Sequence, residues 1–352
     1  MMKVHSLSHN GILIFSTSKR KKRFMVIKQF AKTSLGFFPT PEVELTRLSH
    51  FLGGPKIFIK RDDLTGLALG GNKTRKLEYI LADALQQGCD TVITAGAAQS
   101  NHCRQTAAAA AMLNLQCHLL LGGESPATCQ GNLLLDKMFD SHIHWTGDNR
   151  KGEDIQRITA QLKASGRKPY LVPYGGSNEL GAMSFINAVG ELKPQQQADE
   201  YSHLVFASCS GGTHAGLILG KEIHHKTFDL LGINIDKENV ASGELSQTIV
   251  RLVNNTAKSI GLNYSFSDPQ LILNSDYVGA GYGVVSERDK EAIALMAKYE
   301  GVLLDPVYTG RAMAGLIDLI RIGKLTKNDK VLFWHTGGAP SLFAYSEDLG
   351  FS

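Results

Sequence analysis

Gly70-Gly71-Asn72-Lys73-Thr74-Arg75-Lys76-Leu77-Glu78-Tyr79 is the stretch on which the reading of this chain turns. Its two glycines give the backbone access to positive φ and let it approach a ligand closely. Behind them Leu77, Ile80, Leu81 and Ala84 recur at helical spacing. The segment therefore predicts a turn that opens a helix, with Lys73 at the junction. A lysine placed there has the chemistry to form a Schiff base with a carbonyl compound. Its plain alternative is a solvated surface charge, the usual state of a lysine.

On either side of this turn, short β-branched runs alternate with helical patterns. Strands are expected at Lys56–Lys60, Thr91–Thr94, His118–Leu121, Tyr170–Val172, Leu204–Ala207, Leu230–Ile235 and Lys330–Trp334. Helix-length segments such as Glu287–Glu300 and Arg311–Ile322 would cover the sheets. This alternation argues for an α/β architecture with mostly parallel sheets. A length of 352 residues, 43% of them hydrophobic and 20% charged, suits a globular chain of roughly two domains. The longest apolar stretch, Thr106–Leu121, is interrupted by Asn114, Gln116 and His118, so no membrane span is expected. Five cysteines without a C-x-x-C pair argue against a disulfide framework and a cysteine-rich zinc site, and suit a reducing cytosol.

The net charge of +4 hints at nucleic acid until its distribution is considered. Lys3, Lys19, Arg20, Lys21, Lys22 and Arg23 precede Met25, and no acidic residue appears before Glu42; without those six the balance falls to −2. The basic run thus belongs to a tail and not to a binding face. Residues 1–30 read as a disordered arm, an organelle-targeting peptide, or a stretch upstream of a true start at Met25, and the last is favoured.

Two strand-to-helix junctions carry the next signals. Thr91–Thr94 runs into Ala95-Gly96-Ala97-Ala98-Gln99-Ser100-Asn101-His102, where Ser100 and Asn101 are placed to start a helix. They read either as a plain N-cap or as an anion site at a positive helix end. Leu204–Ala207 is followed by Ser208-Cys209-Ser210-Gly211-Gly212-Thr213-His214-Ala215-Gly216. Small residues there let successive N–H groups face one concavity, and Ser208, Ser210 and Thr213 add hydroxyls, which suits a phosphate. The loop lacks the G-K-[ST] ending of a nucleoside-triphosphate site and the G-x-G-x-x-G spacing of a dinucleotide site, so a monophosphate fits better. A tight packing turn is the alternative.

A Schiff-base lysine with a monophosphate cup points to pyridoxal phosphate. In its blocks G-G-N-K-T-R-K-L-E, Q-S-N-H, S-G-G-T-H-A-G, G-Y-G and D-P-V-Y-T-G, the chain from about Phe38 to Phe343 resembles the fold-type II pyridoxal-phosphate enzymes. The branch resembled holds 1-aminocyclopropane-1-carboxylate deaminase and D-cysteine desulfhydrase. The resemblance implies two open α/β domains of the tryptophan synthase β-subunit type. A large domain (31–72 plus 186–352) and a small one (73–185) would enclose the cofactor, in a homodimer. It also implies roles for single residues. Lys73 would hold the cofactor covalently and Lys76 would lie near its phosphate; Ser210, Gly211, Gly212 and Thr213 would form the cup. Asn101 would meet the phenolic oxygen, and Gln99 and Ser100 would lie in the loop that receives the substrate carboxylate. Tyr282 and Tyr308 match the two active-site tyrosines, for which the ordinary alternative is a satisfied core aromatic.

Thr309 discriminates between branches. The deaminase branch resembles D-P-V-Y-E-G, whose glutamate keeps the pyridine nitrogen protonated; a threonine cannot, which favours expulsion of a β-leaving group. The expected reaction is β-elimination from a small-molecule amino acid. Lys73 or Tyr308 would take the α-proton, a tyrosine would assist the departing thiol, and the product would end as pyruvate and ammonia. D-cysteine is the first choice of substrate, with 1-aminocyclopropane-1-carboxylate and L-cysteate as alternatives. A non-catalytic binder that keeps the cup, or a nucleotide-binding protein using Ser208–Thr213, would be the other classes. His142 with His144, and His224 with His225, lack the i, i+4 spacing of helical zinc ligands, so no metal is expected. His102 and His214 adjoin the motifs and are placed to tune the site. Cys209 departs from the glycine common at its position in the resembled family, which leaves the backbone geometry of the cup for the structure to decide.

Overall fold

Strand and helix alternate along most of the chain. The computed structural model describes residues 12–14, 25–28, 30–192, 200–237 and 243–350. In chain order the strands are β1 (Ile12–Ile14), β2 (Met25–Ile27), β3 (Glu42–Glu44), β4 (Lys56–Arg61), β5 (Thr91–Ala97) and β6 (Gln116–Gly122). They continue with β7 (His142–Trp145), β8 (Pro169–Leu171), β9 (His203–Ser208), β10 (Asp229–Asn234), β11 (Leu273–Asn274) and β12 (Lys330–His335). A six-stranded sheet runs β11-β10-β9-β12-β4-β3 and is parallel except at β3–β4; a four-stranded sheet, β7-β6-β5-β8, is parallel throughout. The fold is therefore the expected α/β class with two open parallel sheets. β1 and β2 pair antiparallel, while the basic cluster 19–23 lies outside the described residues.

All seven expected strands form, six of them within two residues of their anticipated ends, while β5 runs three residues past Thr94 to Ala97. β3, β7 and β11 were not anticipated. They are two to four residues long and lie at sheet edges, where little apolar surface is buried and the alternating pattern is weak.

Alternation decides the layers of the larger sheet. Leu204, Phe206, Leu332 and Trp334 join one apolar core with side chains of helices Glu179–Gly190, Gly212–Ile223 and Glu244–Ser259. Val205, Ala207, Val331 and Phe333, one residue out of phase, join the opposite core with helices Glu287–Glu300 and Thr309–Arg321. Helix Glu179–Gly190 crosses the boundary expected at 185/186 and shares its buried face with the larger sheet. A division into two units, as a proposal, is better drawn ahead of that helix. Helix Lys73–Gln86 turns Leu77, Ile80 and Leu81 to the smaller sheet's core, while Tyr79 joins the larger one's. Lys73 thus enters at the seam between the two sheets, beside the carboxyl ends of β5 and β9, where open α/β sheets leave a crevice.

Candidate active site

One cavity at this seam is walled by Asn72, Lys73, Asn101, His102, Ser208, Cys209, Ser210, Gly211, Thr213, His214, Tyr308 and Thr336, among others. Six of the residues to which the resemblance assigns a role therefore meet there: Lys73, Asn101, Ser210, Gly211, Thr213 and Tyr308. No carboxylate lines this wall.

Lys73 begins its helix after Gly70 and Gly71, whose φ values of 72° and 132° require glycine. Its Nζ donates to the Gly175 carbonyl at 3.0 Å, and Lys76 Nζ donates to the same oxygen at 3.0 Å. Burial lowers the Lys73 pKa; burial and then the neighbouring Lys73 charge push Lys76 well below its ordinary value. The pair therefore favours loss of a proton, so an amine with a free lone pair is available next to the cup. Gly175 has φ 63°, and a Cβ there would fall 2.3 Å from Ser210 Oγ, so a side chain at this position would obstruct the site.

The cup forms where β9 ends. Gly211, with φ 84°, turns the chain into helix Gly212–Ile223, whose start borders the cavity at Gly211, Thr213 and His214. Gly212 N donates to Ser177 Oγ at 3.1 Å, and Ser177 Oγ donates to Ser210 Oγ at 2.9 Å. Asn72 Nδ2 reaches Thr213 Oγ1 at 3.2 Å. Cys209 borders the cup without closing it, and burial raises its thiol pKa to about 11, which keeps it neutral. Hydroxyls, a positive helix end and the Lys73 amine, with Lys76 buried beside it and no acid in the wall, suit a phosphate monoester with an aldehyde within reach of Lys73. The residues present therefore fit pyridoxal phosphate.

Across the cavity, Ser100 caps helix Asn101–Met112 by accepting from Cys103 N at 3.2 Å. The N-cap reading is thus met. Asn132 Nδ2 donates to Asn101 Oδ1 at 2.9 Å. Gln99 is turned away: its Nε2 donates to Gln130 O and its Oε1 accepts from Asn132 N. Neither Gln99 nor Ser100 lines the cavity. Thr94 Oγ1 donates to Val172 O and so accepts from His102 Nε2, 2.9 Å away. That leaves His102 Nδ1 unprotonated and without a partner, and burial with the two lysines holds the ring neutral.

Tyr282 and Tyr308 share a hydrogen bond of 2.7 Å with rings edge to face. Burial raises both pKa values, so both remain protonated and able to donate. Thr309 is buried behind them. Its Oγ1 donates to Asp305 Oδ1 at 2.7 Å and accepts from Asp305 N at 2.8 Å, and it is absent from the cavity wall.

Sequence reasoning did not reach Gly175, Ser177 or Arg150. The Gly175-Gly176-Ser177-Asn178 run, small residues ahead of a helix, was the available signal for the first two. Arg150 carried none. Its guanidinium lies 4.4 Å above the Tyr282 ring, pairs with Asp236 at 2.8 Å and donates to Tyr174 OH at 3.2 Å. His142 and His144 lie on a strand, where residues two apart share a face, and His144 Nε2 meets His118 Nδ1 at 2.9 Å. Among the described residues no group of three or more His, Cys, Asp or Glu side chains is arranged to hold a metal ion.

Comparison with known proteins places these features in context. The family model for pyridoxal-phosphate dependent enzymes matches residues 33–337. A crystal structure described as an ACC deaminase homologue is 38% identical, with 91% of this chain and 96% of that chain covered and a TM-score of 0.82. A fungal L-serine ammonia-lyase from Rhizomucor miehei is 17% identical, covers 90% and 98%, and has a TM-score of 0.61. The processed form of threonine deaminase isoform 2 from Solanum lycopersicum is 16% identical, covers 99% and 98%, and has a TM-score of 0.63. The last two share the fold.

Proposed function

The chain belongs to the pyridoxal-phosphate dependent enzyme family, its cofactor is pyridoxal 5'-phosphate, and from that premise we propose that it catalyses β-elimination from a D-amino acid. D-cysteine is the substrate we assign, giving hydrogen sulfide, pyruvate and ammonia. The observation that carries this reading is Thr309, which is uncharged and fully buried, its hydroxyl both donating to and accepting from Asp305. A hydroxyl at that position cannot hold a proton on a weakly basic ring nitrogen as a glutamate does. That disfavours opening of an unactivated cyclopropane and favours loss of a good leaving group from Cβ.

The residues take these parts. Lys73 would hold the cofactor, and Ser210, Gly211, Gly212, Thr213 and the nearby Lys76 would seat its phosphate. When bound, pyridoxal phosphate supplies an electron sink for the pair left at Cα as its proton departs. Lys73, its pKa lowered by burial, accepts that proton at Nζ. Tyr308 and Tyr282 keep their phenolic protons and are joined by one hydrogen bond, so one O–H of the pair remains to donate to the departing sulfur. Asn101, oriented by Asn132, would meet the phenolic oxygen, and the Ser100 hydroxyl would meet the substrate carboxylate. Thr309 would have to turn its hydroxyl from Asp305 to meet the ring nitrogen, and Gln99 would shape the carboxylate loop through Gln130 and Asn132.

The relative described as an ACC deaminase homologue supports one second reading, deamination of 1-aminocyclopropane-1-carboxylate. Incubation of the loaded enzyme with D-cysteine, L-cysteine, L-cysteate and 1-aminocyclopropane-1-carboxylate separates the readings. We expect sulfide and pyruvate from D-cysteine, and loss of both the visible cofactor band and turnover in Lys73→Ala. Formation of 2-oxobutyrate from the cyclopropane would overturn the argument from Thr309, and pyruvate from L-cysteate alone would change the substrate. We further propose a cytoplasmic homodimer with no nucleic-acid or membrane partner, for which a scattering mass twice that of the chain is the check. Among the described residues no helix is long and apolar enough to cross a membrane.

A further inference from the structure

Arg150 stands outside the cavity wall, yet it touches both the tyrosine side and the lysine side of the site. Its backbone is fixed by a tight turn after β7. Gly147, with φ 57°, donates to Gly123 O at 3.1 Å, and Gly123 N donates back to Gly147 O at 2.6 Å. A Cβ on Gly122, at the end of β6, would fall 2.6 Å from Arg150 Cβ, so this close approach needs glycine. From that seat on the smaller sheet the side chain reaches the larger one. Nη2 donates to Asp236 Oδ2, just past β10, at 2.8 Å. Nη1 donates at 3.2 Å to Tyr174 OH, one residue before the Gly175 carbonyl that takes Lys73 and Lys76. The Arg150 side chain is 16% exposed and that of Asp236 2%, so the cation over the Tyr282 ring is largely shielded from water.

Tyr308 lines the cavity and Tyr282 stands behind it, joined by the 2.7 Å hydrogen bond. A cation over the face of a phenol favours negative charge on that phenol, which makes its hydroxyl a better donor and a poorer acceptor. Burial raises the Tyr282 pKa, and Arg150 acts against that rise. Tyr282 therefore donates to Tyr308, and the Tyr308 O–H is the one left for the cavity.

We propose that Arg150 is a positioning residue for the elimination: it polarises Tyr282, and Tyr282 in turn orients Tyr308 to hand its proton to the departing sulfur. When the C–S bond breaks, its electron pair stays on sulfur and takes the Tyr308 proton. The negative charge left on Tyr308 is met by the Tyr282 O–H, which the guanidinium has strengthened as a donor. The proton that Lys73 Nζ accepted from Cα makes up the deficit before the next turnover. This inference rests on the proposed β-elimination from D-cysteine and deepens it.

The test compares two substrates of the loaded enzyme: D-cysteine, whose sulfur leaves with a proton, and β-chloro-D-alanine, whose chloride needs none. Arg150→Gln keeps a donor for Asp236 and removes the charge. It is expected to lower kcat for D-cysteine about tenfold, the scale of one shielded cation–π contact, and kcat for β-chloro-D-alanine less than about twofold. KM should stay within about twofold for both, because Arg150 does not line the cavity. Arg150→Lys, which restores a cation, should recover most of the loss on D-cysteine. Tyr282→Phe should show the same selective loss, and adding Arg150→Gln to it should slow the enzyme no further. In the loaded enzyme without substrate, the carbon-13 resonance of the Tyr282 phenolic carbon, assigned with Tyr282→Phe, should move in Arg150→Gln and return in Arg150→Lys. Should Arg150→Gln misfold with Asp236 stranded, its combination with Asp236→Asn makes the same comparison. Equal slowing of both substrates, full additivity with Tyr282→Phe, or an unmoved Tyr282 resonance would each overturn this proposal alone. Absence of sulfide from the wild type would instead sink the D-cysteine reading, and this proposal with it.

Discussion

On one side of the Lys73 turn, Arg75 meets Asp62; on the other, Arg104 lies near Asp136, and all four side chains are at most 4% exposed. Asp62 accepts from Arg75 Nε and Nη2 at 2.8 Å each, and also from Thr40 and from the Trp334 indole. Burial pushes its pKa up, but Arg75 and these hydrogen bonds outweigh that and hold it below 3.8. Asp136 has no hydrogen-bond partner on either oxygen, and burial pushes its pKa well above the ordinary range. Arg104 spends its donors on the carbonyls of Ala68 and Gly70 instead, and burial lowers its pKa to about 10. The contrast teaches that burial alone drives a carboxyl toward its neutral form, and that only direct, fully hydrogen-bonded pairing keeps it ionised.

Both neighbourhoods aim Lys73. The Asp62–Arg75 pair ties helix Lys73–Gln86 to the end of β4, and Glu191 completes it by taking Arg75 Nη1 at 2.6 Å. Arg104, from the helix that follows β5, holds the turn leading into Gly70 and Gly71. One anchor is a charged pair and the other is a cation on backbone carbonyls.

The strongest way to break the comparison is Arg75→Ala, which strands Asp62 as a buried charge. A loss of about 3–5 kcal/mol in chemical unfolding is expected, with weakened cofactor retention. The pH dependence should differ in sign between the two acids. Asp62 has a depressed folded pKa, so its stabilisation is complete above 3.8, the ordinary carboxyl value, and is lost as pH falls through the lower folded value. Thermal melts from pH 6 downward should show that acid loss in the wild type and a smaller one in Arg75→Ala. Next, Arg104→Met leaves the Ala68 and Gly70 carbonyls without their donor. A loss of about 1–3 kcal/mol is expected, with a larger proportional fall in cofactor affinity than in the melting of the core. The smallest effect belongs to Asp136→Asn. The Asp136 folded pKa is raised, so its contribution is complete below 3.8 and is lost as pH rises through the folded value. The amide imitates the neutral acid. The variant should therefore match the wild type within about 1 kcal/mol in acid and exceed it at alkaline pH; a marked loss at every pH would show that Asp136 is ionised and paired.

Much of the site was legible because its parts are local. Gly70 and Gly71 ahead of a helical pattern, Ser100 at a helix start, and the small residues 208–213 after a β-branched run are short-range signals, and each formed the predicted junction. Thr309 and Gln99 show the limit. Both lie inside recognisable blocks, yet Thr309 turns its hydroxyl to Asp305 and Gln99 its amide to Gln130 and Asn132, outcomes set by which groups the folded chain brings near.

The sequence by itself determined the α/β alternation and the residue types able to hold a phosphate and a carbonyl compound, because periodicity and turn chemistry act over a few residues. Tertiary structure alone decided that Lys73 and Lys76 share the carbonyl of Gly175, that Arg150 covers Tyr282, and that Asp62 and not Asp136 is paired. Those contacts join strands and helices that are distant in sequence, so they depend on the path of the whole chain. Their energetics depend on burial and partner geometry, which no local pattern encodes.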